Sequence, residues 1–159
     1  MRTFLLLFFV FAAFTTRGQN KVSLLPNNMI NYIGKATQSE FEKLVGDRVD
    51  NNEELGTVIY EVENTYDNIV TALQCIYRKS DGILISVRFS TPHYLAYWIN
   101  MANFKGFTEK KNATIKKDTT GNLIKLDLKY KTFGCQIFNF QQWSRTETTA
   151  TINYHVIKL

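Results

Sequence analysis

The chain has 159 residues, with 19 basic and 14 acidic side chains, 45% apolar residues and 21% charged ones. That composition excludes a disordered tail, a collagen-like fibre and a disulfide-dense mini-protein, and it leaves room for one domain or two very small ones.

Met1-Arg2-Thr3 is a short basic start, Phe4 to Phe14 is an unbroken apolar run, and Thr15-Thr16-Arg17-Gly18 is a small, polar exit. This is the layout of a secretory signal peptide, whose apolar part is too short to cross about 30 Å of hydrocarbon. Cleavage after Gly18 leaves a mature chain over 19–159, expected to be secreted or periplasmic, with an uncleaved membrane anchor as the other reading. No Cys follows the apolar run, so the lipid-attachment route of bacterial lipoproteins is not expected. No later stretch approaches 18 apolar residues, so the mature chain is expected to carry no transmembrane segment.

Residues 19–31 read as a polar lead-in containing Pro26-Asn27-Asn28. Thr37-Gln38-Ser39-Glu40 has the form of a capping box, and Phe41, Leu44 and Val45 follow at helical spacing before Gly46, so 38–46 predicts a short amphipathic helix. The stretch from 55 to 78 fits a helical stripe or two strands. The β-branched and aromatic run Thr57-Val58-Ile59-Tyr60 favours strands at 57–63 and 69–78. Lys79-Ser80-Asp81-Gly82 is hairpin chemistry, and the alternation of Ile83, Ile85, Val87 and Phe89 predicts a half-buried strand over 83–90.

Thr91 and Pro92 open a helix over 92–104, apolar round most of its circumference and so expected to be largely buried. Strands are expected at 107–117, 122–131, 134–143 and 149–158. The fold class is therefore α+β: an antiparallel sheet with two helices packed on one face. It reads either as one domain or as a tandem α-then-β module with halves near 27–90 and 91–159.

The run Ile33-Gly34-Lys35 through Thr37 and Phe41 to Leu44-Val45-Gly46 resembles the Gly-x-Thr…Val…Leu-Gly helix that opens the SmpA/OmlA envelope modules. The beta-lactamase inhibitory protein is similar to them in fold. The resemblance implies a protein-binding envelope module without catalysis, in which a helical segment packs on an antiparallel sheet. It departs from the pattern at Asp47, which follows Gly46 with no Pro nearby, and in lacking the lipid-attachment Cys. It is too short to transfer any binding residue.

Chemistry-bearing motifs are sparse. His93 and His155 belong to no ligand spacing, and there is no nucleophile elbow, phosphate-binding loop or dinucleotide fingerprint. Glu53, Glu54, Glu61, Glu63 and Asp67 read as solvated charges rather than a catalytic pair. No metal and no cofactor is therefore expected, and no catalytic residue is assigned. Cys75 and Cys135 permit one disulfide in an oxidising compartment, worth roughly 3–4 kcal/mol by loop closure, or else are two buried thiols.

Charge is unevenly distributed. Residues 19–67 carry nine acidic and four basic groups, whereas 68–159 carry five acidic and 13 basic ones. Lys110, Lys111, Lys116, Lys117, Lys125, Lys129 and Lys131 concentrate in two predicted strands, where they either steer an acidic partner or guard sheet edges against aggregation. If Phe138 and Phe140 face a helix, then Asn139, Gln141 and Trp143 face outward beside Arg88, Lys125, Lys129, Asn153 and His155. That polar, basic sheet surface is the expected binding site, for a protein partner of acidic character rather than nucleic acid. The alternatives are a carrier of a small apolar ligand, held in a void bounded by Tyr94, Tyr97 and Trp98, and a hydrolase.

Overall fold

The computed structural model describes residues 20–52, 54, 56–105, 113–142 and 147–157. The expected leader, Glu53, Lys110, Lys111 and Trp143 lie outside the described residues. Among the described residues no helix is long and apolar enough to cross a membrane.

The fold is α+β and mostly sheet. Its strands are β1 (Lys21–Val22), β2 (Asp50–Asn52), β3 (Thr57–Asn64), β4 (Val70–Tyr77), β5 (Leu84–Thr91), β6 (Ala113–Lys117), β7 (Leu123–Tyr130), β8 (Phe133–Gln142) and β9 (Thr148–Val156). Its helices are α1 (Pro26–Met29), α2 (Gln38–Val45) and α3 (Tyr94–Lys105). All nine strands join one mixed sheet in the order β1-β3-β4-β5-β9-β8-β7-β6, with β2 also pairing β3. Two antiparallel meanders, β3-β4-β5 and β6-β7-β8-β9, meet where β9 pairs with β5, and β1 is parallel to β3.

Local chemistry explains the elements. At the start of α2 the Thr37 hydroxyl accepts from the Glu40 N–H, while the Thr37 N–H donates to Glu40 Oε2 at 2.8 Å. Both would otherwise be orphan groups of the first turn. At the other end Gly46 takes φ +86°, where a Cβ is strained, and its N–H caps the Glu42 carbonyl. The residues from 57 to 77 form two strands rather than a helix, because alternation buries Val58, Tyr60 and Val62 on β3 and Leu73 and Cys75 on β4.

The core gathers these side chains with Val87 and Phe89 of β5, Leu126 and Leu128 of β7, Cys135 and Ile137 of β8, and Ile152 and Tyr154 of β9. Met29 of α1, Phe41 and Val45 of α2, and Tyr97 and Met101 of α3 belong to the same cluster. Edge-to-face contacts tie helix to sheet, with Phe41 at 6.1 Å from Tyr60 and Tyr97 at 5.5 Å from Phe89.

Four sequence expectations need correction. The segment 20–31 is no mere lead-in, since Val22, Leu24 and Met29 are fully enclosed. Tyr154 fixes it by donating to the Leu24 carbonyl at 2.6 Å. Helix α3 buries Tyr97 and Met101 fully but leaves Leu95 and Ile99 more than half exposed, because it lies on the sheet along one stripe only. In β5 the burial phase shifts at the bulge between Ile76 and Tyr77, so Leu84 is enclosed while Ile83 and Ile85 are half-buried.

The fourth correction is Cys75–Cys135. No disulfide joins them, and both are fully buried. They lie on one register row, Cys75 opposite Val87, Val87 opposite Tyr154, and Tyr154 opposite Cys135. Three strand spacings separate their Cα atoms by about 14 Å, against the roughly 4.4–6.8 Å that a disulfide spans. The two cysteines are core packing, and burial pushes the Cys75 thiol well above its ordinary pKa.

Candidate functional site

Residues that alternate with the core set the other side of the sheet. Register places Gln74 opposite Arg88, Arg88 opposite Asn153, Asn153 opposite Gln136, and Gln136 opposite Asp127. A neighbouring row holds Ser90, Thr151, Phe138, Lys125 and Lys116, and a third holds Ile76, Ser86, His155, Gly134 and Lys129. Of the residues expected on this surface, Arg88, Lys125, Lys129, Asn153 and His155 are brought together. Gln141, exposed and opposite Thr149, stands at its end. Trp143 lies outside the described residues.

Phe138 is the correction here. It alternates with the buried Ile137 and stands on the open rows, and Arg88 lies over its ring at 5.8 Å from the centroid. Phe140 alone turns toward α3, where it meets Tyr94 edge-on at 5.2 Å. The register shift between Phe138 and Gln141, with Asn139 at φ +52°, inserts the residue that breaks the alternation between the two phenylalanines, although Phe140 still borders the depression beside Phe138. Simple period-two reading gives both the same face. The polar pair Asn139 and Gln141 flanking Phe140 holds no signal that separates a bulge from a regular strand.

Two depressions flank Phe138. One, of about 550 Å³, runs over Lys116, Leu123, Ile124, Lys125 and Gln136. The other, of about 400 Å³, runs over Ile59, Val70, Ala72, Gln74, Arg88 and Thr151. Each mixes apolar and polar side chains about equally, Asn139 among them, with one or two cations, and among the described residues no carboxylate lines either. Lys125 is partly engaged, with its Nζ 3.4 Å from Asp127 Oδ2, while Asp127 Oδ1 is enclosed and accepts no hydrogen bond.

His155 lies flat on its row because Gly134 has no side chain. A Cβ there would sit 2.5 Å from His155 Nε2 and 2.6 Å from Cε1. Ser86 donates to Asn153 Oδ1 at 2.8 Å, which holds the neighbouring amide in place. The result is a surface of cations, amides and hydroxyls around one half-buried aromatic ring, suited to recognition by charge and shape.

Elsewhere the polar groups are structural. Tyr60 donates to Glu42 Oε1 at 3.1 Å and lies 3.0 Å from the Tyr77 hydroxyl, tying α2 to the sheet. Burial raises the pKa of both phenols. Asn64 donates to the Tyr97 hydroxyl at 2.8 Å. Tyr97 is therefore enclosed and bonded, and Tyr94 and His93 instead border an open depression of about 540 Å³ near Tyr66 and Glu147. Among the described residues no group of three or more His, Cys, Asp or Glu side chains is placed to hold a metal ion. No family model, no curated protein and no solved structure matches the chain.

Proposed function

We propose that the chain is an exported, non-catalytic binding module that engages an acidic protein through the open rows of its sheet. The observation that carries this reading is Phe138 between two depressions, with Arg88 on one side and Lys125 and Lys116 on the other. Aromatic and Arg side chains supply most of the energy at protein contacts, and cations beside them select acidic surfaces and speed encounter. In this reading all three helices cover the opposite side of the sheet and leave these rows free. The element order, helix before each meander, supports a tandem α-then-β organisation. Export by the N-terminal leader places the encounter outside the cytoplasm.

The test compares the purified protein with an Arg88→Glu/Lys125→Glu variant as immobilised bait against the exported fraction of its own source. Acidic proteins retained at about 0.15 M salt and released near 1 M, where screening shortens to about 3 Å, should be lost with the variant. Recovery of the same proteins by both baits would refute the proposal.

A further inference from the structure

Resting on that reading of the open rows, we infer that one partner they fit is a second copy of this chain, docked open face on open face. The basis is an ordered charge gradient across the surface. At the β2–β3 edge Asp50 stands opposite Ile59, and Glu61 follows on the same side of β3, both exposed. At the other edge Lys116 pairs with Lys125, and Lys129 lies further along β7. One line across the strands thus begins at Glu61 and Ala72, passes Thr151 and Phe138, and ends at Lys125 and Lys116.

A face with charge of one sign repels its own copy, but this one is acidic at one end and basic at the other. A two-fold axis between two stacked faces and parallel to the strands reverses the line. It sets Glu61 of each copy over Lys116 of its partner, twice by symmetry. β9 is the middle strand of the seven from β3 to β6, so the axis passes near Thr151, brings Phe138 over Ser90 of the other copy and sets Lys125 over its Ala72. Glu63 already pairs with Lys21 at 2.8 Å and Lys125 with Asp127, which leaves Glu61 and Lys116 as the outer complementary pair. Seven strands at about 4.8 Å and six residues at about 3.3 Å give a face of roughly 34 by 20 Å. Two such faces bury about 1,300 Å², at the lower end of the range for stable interfaces.

The decisive measurement is sedimentation equilibrium of wild type, Glu61→Lys, Lys116→Glu and an equimolar mixture of the two variants. Wild type should approach twice the monomer mass at tens of micromolar and revert to monomer near 1 M salt. Each variant alone should weaken association by about tenfold or more, since like charges then meet twice. The mixture should recover it. In the mixed dimer the cation introduced at position 61 faces the carboxylate introduced at position 116, and the unaltered Glu61 and Lys116 meet at the other symmetric position. A monomeric wild type, a variant that dimerises as well as wild type, or a mixture that fails to recover would overturn the inference. If wild type stays monomeric while capture of another acidic protein still depends on Arg88 and Lys125, self-docking alone fails and the binding face stands.

Discussion

Gly134 is where the sheet makes room for a candidate binding residue, and Gly134→Ala tests that arrangement most directly. The added Cβ would sit 2.5 Å from His155 Nε2, 2.6 Å from Cε1 and 3.2 Å from Cδ2, so the imidazole must leave its place on the row. The close atoms are the tip of a half-buried ring, which rotates rather than forcing the backbone apart. The expected cost is therefore at the low end of overpacking, about 1 kcal/mol. With His155→Ala in place the obstruction is gone. Alanine should then stabilise relative to glycine by about 0.5–1 kcal/mol, because glycine loses more chain entropy in a strand. The same substitution thus changes sign between backgrounds, with a coupling of about 1.5–2 kcal/mol in a double-mutant cycle. Urea titrations of the four proteins, read by far-ultraviolet circular dichroism, measure it. Gly134→Ala acting with the same sign and size in both backgrounds would show that His155 does not lie on Gly134.

Tyr154→Phe removes a 2.6 Å hydrogen bond and leaves the enclosed Leu24 carbonyl unpaired, so stability should fall by about 1–3 kcal/mol in the same titration. Cys75 and Cys135 should resist a thiol-specific reagent in the folded protein and both react in denaturant. One disulfide per chain in the purified protein would contradict the sheet order. Thr37→Ala breaks the capping box of α2 and should cost about 1 kcal/mol at neutral pH. Hydrogen bonds from Thr37 hold the Glu40 carboxyl below its ordinary pKa, so its contribution is present above the unfolded-state value and lost as pH falls through the folded one. The difference between wild type and Thr37→Ala should accordingly shrink on acidification, which paired denaturation curves across the acid range would reveal.

Much of the architecture was legible because local signals are self-contained. The capping box at Thr37 and Glu40, the β-branched alternation of β3 and the turn at Lys79–Gly82 each need only neighbouring residues. α2, β3, β4 and β5 consequently lie within two residues of their expected bounds. The burial of Leu24 and Met29 was not legible, because polar residues stand near them in the chain and distant elements draw them in: α3 packs on α1, and Asn64 and Tyr154 bond the Leu24 backbone.

Sequence by itself determined an α+β chain with a basic strand-rich second part and the set Arg88, Lys125, Lys129 and His155 on alternating strand positions. The tertiary structure decided which of these meet and what stands among them. A single bulge at Asn139 put Phe140 out of step with Phe138 and against Tyr94, leaving Phe138 alone on the open rows, and the pairing of β9 between β5 and β8 aligned Arg88, Asn153 and Gln136. The same pairing holds Cys75 and Cys135 three strands apart. Strand order and register are set by contacts between residues distant in the chain, and period-two patterning within any one strand carries no information about which strand lies beside it.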